Sequence, residues 1–233
     1  MKHPFHFSIL PYFTMGAGGI GLCLRLWLYS ATDEKDLLPA GHPAGILLYI
    51  LTALTLGALF LATRKPGFSP YRRSFRRAAE TAGNLLAAIG LVLHVLFHEQ
   101  GILAIIICLV GALFLLLAAF FSFKKKALPY QLGVLITAAL MLFTVTQCRT
   151  WGAIPQLQHY FFPLLASIFL ILTAYHRTNL AARHGKRTNL AFFSQCALFL
   201  CCLSLNTNPV LYFGMACWAA VQLFTCYLIK KES

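Results

Sequence analysis

Apolar residues in this chain fall into long, nearly unbroken runs rather than into alternating or one-sided patterns. Eight stretches, near 8–29, 43–63, 78–98, 101–121, 129–150, 159–177, 188–206 and 209–229, are mostly apolar. A helix needs about 20 such residues to cross the hydrocarbon core of a bilayer. The pattern therefore predicts an all-α fold, a polytopic transmembrane bundle of eight membrane-spanning helices. The third and seventh stretches are the weakest members. The third opens with Arg76, Arg77 and Glu80, and the seventh carries Asn189, Ser194, Gln195 and Ser204; without these two the count falls to six. Eight spans use about 160 residues. What remains makes two tails and seven short loops, so residues 1–233 read as one integral membrane domain. The first run continues from behind Lys2 to Tyr29 without a clear small-x-small cleavage site, and is read as a retained first span rather than a signal peptide.

Composition narrows the class further. Of 233 residues, 59% are hydrophobic and 11% are charged, with a mean hydropathy of +0.74. Soluble domains carry about 25% charged residues, and a globule of this size cannot hide so many apolar side chains from water. A soluble enzyme, a disordered chain and a nucleic-acid-binding domain are excluded. The net charge of +13 then needs a membrane explanation. With the N-terminus placed inside, 16 of the 19 Lys and Arg residues fall in inner segments, loop by loop. Only Lys35 and Arg149 lie in outer loops, and Arg25 sits near the outer end of the first span. This is the bias of cytoplasmic loops. It predicts both termini in the cytoplasm and a chain integral to the cell membrane. The basic loop around Arg64, Lys65, Arg72, Arg73, Arg76 and Arg77 is expected to lie on anionic headgroups, at about 1 kcal/mol per charge.

Two short motifs recur. Leu10-Pro11-Tyr12 opens the first span and Leu128-Pro129-Tyr130 the fifth; the fourth span ends in Lys124-Lys125-Lys126 and the eighth in Lys230-Lys231. Two four-helix halves, 1–127 and 128–233, would account for this as a parallel repeat of the kind some transporters use. Chance recurrence and the placing of lysines at inner ends also account for it, and more simply. Arg177-Thr178-Asn179-Leu180-Ala181 recurs ten residues later as Arg187-Thr188-Asn189-Leu190-Ala191, and reads as a pair of similar helix boundaries.

Polar groups inside spans are costly in lipid and turn toward protein or water. At 100° per residue, Glu80, Asn84, His94 and His98 lie within about 40° of one line on the third span, with Ala87 and Leu91 between them. The face is polar at both ends and apolar at its waist. It reads either as the wall of a cavity or substrate path, or as the buried side of an ordinary bundle helix, with Glu80 paired to Arg76 or Arg77 one turn earlier. Arg25 shares a face of the first span with Thr14, Gly18 and Gly21. It is expected to snorkel to the headgroups, to meet a carboxylate such as Glu99, or to bind an anionic substrate. Thr137 and Thr144 in the fifth span, Gln195 in the seventh and Gln222 in the eighth suit hydrogen bonds between helices. Asn206-Thr207-Asn208-Pro209 reads as the tight outer turn before the eighth span.

His94 and His98 stand four residues apart on one helix face, a spacing that can grip a metal, and His159 lies at the same membrane surface. These are the weak metal candidates. The intervening Val95, Leu96 and Phe97 do not make the H-E-x-x-H pattern of a metalloprotease. The eight cysteines lie in or beside spans, form no C-x-x-C pair, and behave as small hydrophobes. No phosphate-binding loop, dinucleotide fingerprint or nucleophile elbow occurs. Nothing in the chain names a cofactor or a catalytic residue. Three functions fit: a transporter of small solutes or lipids, or its membrane subunit; a non-catalytic sensor or accessory subunit; and an outward-facing metal- or haem-dependent membrane enzyme. A cavity lined by the third span would favour the first, and a bundle packed solid the second.

Overall fold

The computed structural model describes residues 10–32, 38–39, 41–64, 77–97, 101–124, 128–151, 157–182 and 184–225. Each of the eight apolar stretches is a helix: α1 (Leu10–Ser30), α2 (Pro43–Arg64), α3 (Arg77–Phe97), α4 (Ile102–Phe123), α5 (Tyr130–Trp151), α6 (Leu157–Ala181), α7 (Arg187–Ser204) and α8 (Pro209–Thr225). Five helical stretches are long and apolar enough to cross a membrane: Pro43–Arg64, Ala78–Phe97, Ile102–Phe123, Tyr130–Arg149 and His159–Ala181. Over their described residues α1, α7 and α8 fall short of that measure, so eight spans exceed what length and apolarity alone support.

The packing explains why α7 falls short. Helices α3, α4, α5, α6, α7 and α8 follow one another in a ring that closes by α8 packing on α3, while α1 and α2 lie against α7. Helix α7 therefore touches α1, α2, α6 and α8, and twelve of its 18 residues are buried. A helix surrounded by protein needs no apolar face for lipid. Helix α4 is the opposite case. Among the described residues it packs chiefly on its ring neighbours α3 and α5, has the highest mean hydropathy of the five, 3.2, and exposes Ile102, Leu103, Ile106, Leu113, Phe120 and Phe123.

Small residues set the closest approaches. A Cβ on Gly214 of α8 would stand 2.5 Å from the Leu86 carbonyl oxygen of α3. One on Gly18 of α1 would stand 2.8 Å from Cβ of Cys202 in α7. Lipid tails are as apolar as leucine, so such close backbone packing is a main source of association between helices in a bilayer. The recurrent RTNLA segments are helix boundaries, as expected: the first ends α6 and the second begins α7. Helix α6 lies on α7, whereas α2 and α3 form no comparable pair among the described residues.

Candidate functional site

Two polar clusters lie inside the bundle, one toward each end. At the first end Arg25 is 1% exposed, and it does not snorkel. The expectation failed because backbone acceptors are available beside it. Its Nη1 donates to the Leu203 carbonyl at 2.7 Å, and its Nη2 donates to the His159 carbonyl at 3.1 Å and to Thr207 Oγ1 at 2.9 Å. Leu203 stands in the last turn of α7, where carbonyls lack intrahelical partners and the helix dipole favours a cation. His159 stands four residues before Pro163 within α6. Proline has no N–H to return to that carbonyl, so Arg25 supplies the missing donor. The guanidinium also lies 5.4 Å from the centre of the Phe162 ring and 5.6 Å from that of Tyr29. The Tyr29 hydroxyl is 3.4 Å from His159 Nδ1. One side chain of α1 thus ties together α6 and the α7–α8 turn. Glu99, its other expected partner, lies outside the described residues.

His94 of α3 sits at the same end, 4% exposed, between α5 and the start of α8. Asn208 Oδ1 accepts the Leu211 N–H at 3.1 Å and so caps α8. That fixes the other end of the amide: Asn208 Nδ2 donates to His94 Nδ1. An imidazole accepting at Nδ1 carries its proton at Nε2. The Gln147 amide nitrogen lies 3.2 Å from Nε2, and turning that amide over sets its oxygen opposite the Nε2–H. A helix cap in α8 thereby sets the tautomer of a histidine in α3. His98, the other half of the proposed metal pair, lies outside the described residues. Among the described residues, no three His, Cys, Asp or Glu side chains gather to hold a metal ion. His159 faces Tyr29, and His94 faces two amides.

At the opposite end Glu80 pairs with Arg177 of α6; the side chain of Arg77, one of the partners expected on its own helix, lies outside the described residues. Arg76 lies outside them too. Both side chains of the Glu80–Arg177 pair are mostly shielded. One turn further in, Asn84 is fully buried and its Oδ1 accepts the Trp218 Nε1–H of α8 at 2.9 Å. Among the described residues its Nδ2 finds no hydrogen-bond partner, and neither does Ser194 Oγ or either amide atom of Gln195. The interhelical bond expected of Gln195 is not made. Those expected of Thr137 and Thr144 are not made either, because their hydroxyls bond back to the carbonyls of Gly133 and Leu140 on the same helix, the usual recourse of a threonine inside a helix.

Between the two clusters the α3 stripe is closed. Ala87 and Leu91 are buried in the main apolar core beside Leu211, Met215 and Leu198. Two cavities border this waist, one lined by Leu140, Phe143, Leu211 and Met215, the other by Leu91, Cys108, Ile136 and Leu140. Each measures about 10 Å³, at the limit of holding one water.

Of the residues picked out in the sequence, Arg25 and His94 come to one end and Glu80 and Asn84 to the other. Their partners were missed as site residues: Arg177 read as a loop charge, Thr207 and Asn208 as a turn, while Gln147, Tyr29 and Trp218 carried no signal. Comparison of the chain with protein-family models, with curated proteins and with solved structures finds no match to any of them.

Proposed function

We propose that this chain is a non-catalytic multi-pass membrane component, a sensor or accessory subunit, rather than a conduit for solute. The observation that carries this reading is the closed waist of α3. The polar ends of the stripe are met by side chains of other helices, and the stretch between them is packed among apolar side chains. The native thiols of Cys196 and Cys201, both buried in α7, provide the test. In native vesicles a membrane-impermeant maleimide should leave both unlabelled, while labelling both after denaturation. Labelling of Cys201 in the folded protein would overturn the reading.

One observation favours the transport reading instead. Asn84, Ser194 and Gln195 keep unpartnered polar atoms inside the bundle, and polar groups in that position mark substrate paths in many transporters. It ranks second because the waist between them and the other cluster is packed with apolar side chains among the described residues.

We further propose eight crossings with both termini cytoplasmic, and the Arg177 end of the bundle against anionic headgroups of the cell membrane. At that end Arg64 lies 4.2 Å from the centre of the Phe60 ring and Lys124 lies 4.4 Å from that of Phe120. A cation folded over an aromatic one turn back suits the interface between hydrocarbon and headgroups. Reporter fusions should place residues 64–77 inside; export of that loop would reverse the orientation.

A further inference from the structure

We infer that His94 and Asn208 form a proton-operated latch at the Arg25 end of the bundle: a proton bound at His94 Nδ1 releases the cap of α8. The side-chain oxygen of Asn208 is committed to the Leu211 N–H, the third N–H of α8. Its amide nitrogen donates to His94 Nδ1. This arrangement requires a neutral imidazole with Nδ1 unprotonated. A second proton has only Nδ1 to bind, since Nε2 already carries one. The resulting Nδ1–H points at the Asn208 NH₂, donor against donor. Turning the Asn208 amide over offers Oδ1 to His94, but it then sets the NH₂ against the Leu211 N–H. One amide cannot serve both, so protonation costs either the α8 cap or the His94 bond. Gln147 does not share the conflict, because its partner Nε2 is a donor in both states.

The surroundings add to the opposition. An imidazolium would stand beside the N-terminus of α8, where the helix dipole disfavours a cation. Arg25 bonds Thr207 Oγ1, the residue next to Asn208, and brings a positive charge to the same turn. His159 of α6 holds Arg25 through its carbonyl. On α8, Tyr212 is buried one turn beyond the cap. On α4, Cys108 lines a cavity with Leu91, one turn in from His94. On α5, Cys148 and Arg149 follow Gln147 and are exposed. The one carboxylate among the described residues, Glu80, lies at the other end of α3 and is paired with Arg177; His98 and Glu99 lie outside the described residues. Thr207 is exposed, so the latch lies one residue beneath the surface. A sensor of acidity is a specific form of the function proposed above, and the side it reads, outside the cell, rests on the orientation proposed there. The readings fail separately. Labelling of Cys201 would overturn the closed bundle and leave the latch, whereas a flat pH response removes the latch and leaves the bundle closed.

The test follows the full chain in nanodiscs, where both faces meet the buffer, from about pH 8 to about pH 5, the range in which histidine changes charge. Imidazole nitrogen shifts in NMR should report proton uptake at His94, and amide exchange at Leu211 should quicken about tenfold with the same midpoint. The wild-type thermal midpoint should fall about 2–4 °C more than that of His94→Asn, whose amide oxygen replaces Nδ1 as acceptor and takes no proton. Asn208→Asp should abolish that extra fall, because a carboxylate accepts from Nδ1–H and from the Leu211 N–H together. A wild type and a His94→Asn variant that fall equally overturn the proposal. Where a variant fails to fold, the wild-type spectra decide. A His94 that keeps one proton throughout, or a Leu211 amide indifferent to its titration, overturns the latch as well.

Discussion

Arg25 and Gln195 are both buried in the interior, yet they fare in opposite ways. The charged residue is well bonded, and the neutral one is not. The difference lies in what the neighbouring backbones have left over. Arg25 meets the end of α7 and the first turns of α6, where a helix terminus and Pro163 leave carbonyls without N–H partners. Gln195 sits at the middle of α7, where each backbone group is already bonded within its own helix, so a polar side chain depends on other side chains. Threonines avoid the problem by bonding their own helix, but a glutamine is too long for that recourse.

Replacing Arg25 should have the largest effect. Arg25→Met leaves the Leu203 and His159 carbonyls unmet in a buried place, and should cost about 3 kcal/mol or more, read as a lowered unfolding midpoint. Arg25→Lys should recover little of it, because an ammonium cannot span the two carbonyls as the guanidinium fork does. If Arg25→Met were as stable as the wild type, the contrast with Gln195 would collapse. Asn208→Ala comes next, at about 1–2 kcal/mol, because the α8 cap and the His94 contact go together. Restoring the cap alone with Asn208→Ser should recover stability but not the His94 tautomer, which the imidazole nitrogen shifts in NMR would report. The smallest effect sharpens the comparison most. In a Pro163→Ala background the His159 carbonyl regains an N–H from residue 163, so Arg25→Met should cost about 1 kcal/mol less there than in the wild type. Simple additivity of the two changes would show that proline does not create the acceptor.

Much of the fold was legible because hydropathy reports directly on helices in a bilayer. The eight apolar stretches all became helices, and the turn at 206–209 and the boundaries at Arg177 and Arg187 stood where composition put them. The polar stripe of α3 was also legible, since a period of 3.6 residues needs no knowledge of neighbours. Its meaning was not. The Glu80–Arg177 pair joins residues 97 apart in the chain, and nothing local in either segment points to the other. Arg25 was read as an interfacial residue because the missing N–H of Pro163 matters only once α6 lies beside α1.

By itself, then, the sequence determined where the helices begin and end and which faces carry polar groups, because apolarity and helical period are properties of each segment alone. The tertiary structure decided which helix leaves its apolar side chains exposed and which polar atom finds a partner. Helix α4 is more apolar than α7, but only the packing of four helices around α7 shows why its Ser194 and Gln195 are buried. An apolar face meets lipid and protein with nearly equal ease, so hydropathy cannot choose between them. Contact between backbones, set by residues such as Gly18 and Gly214, makes that choice.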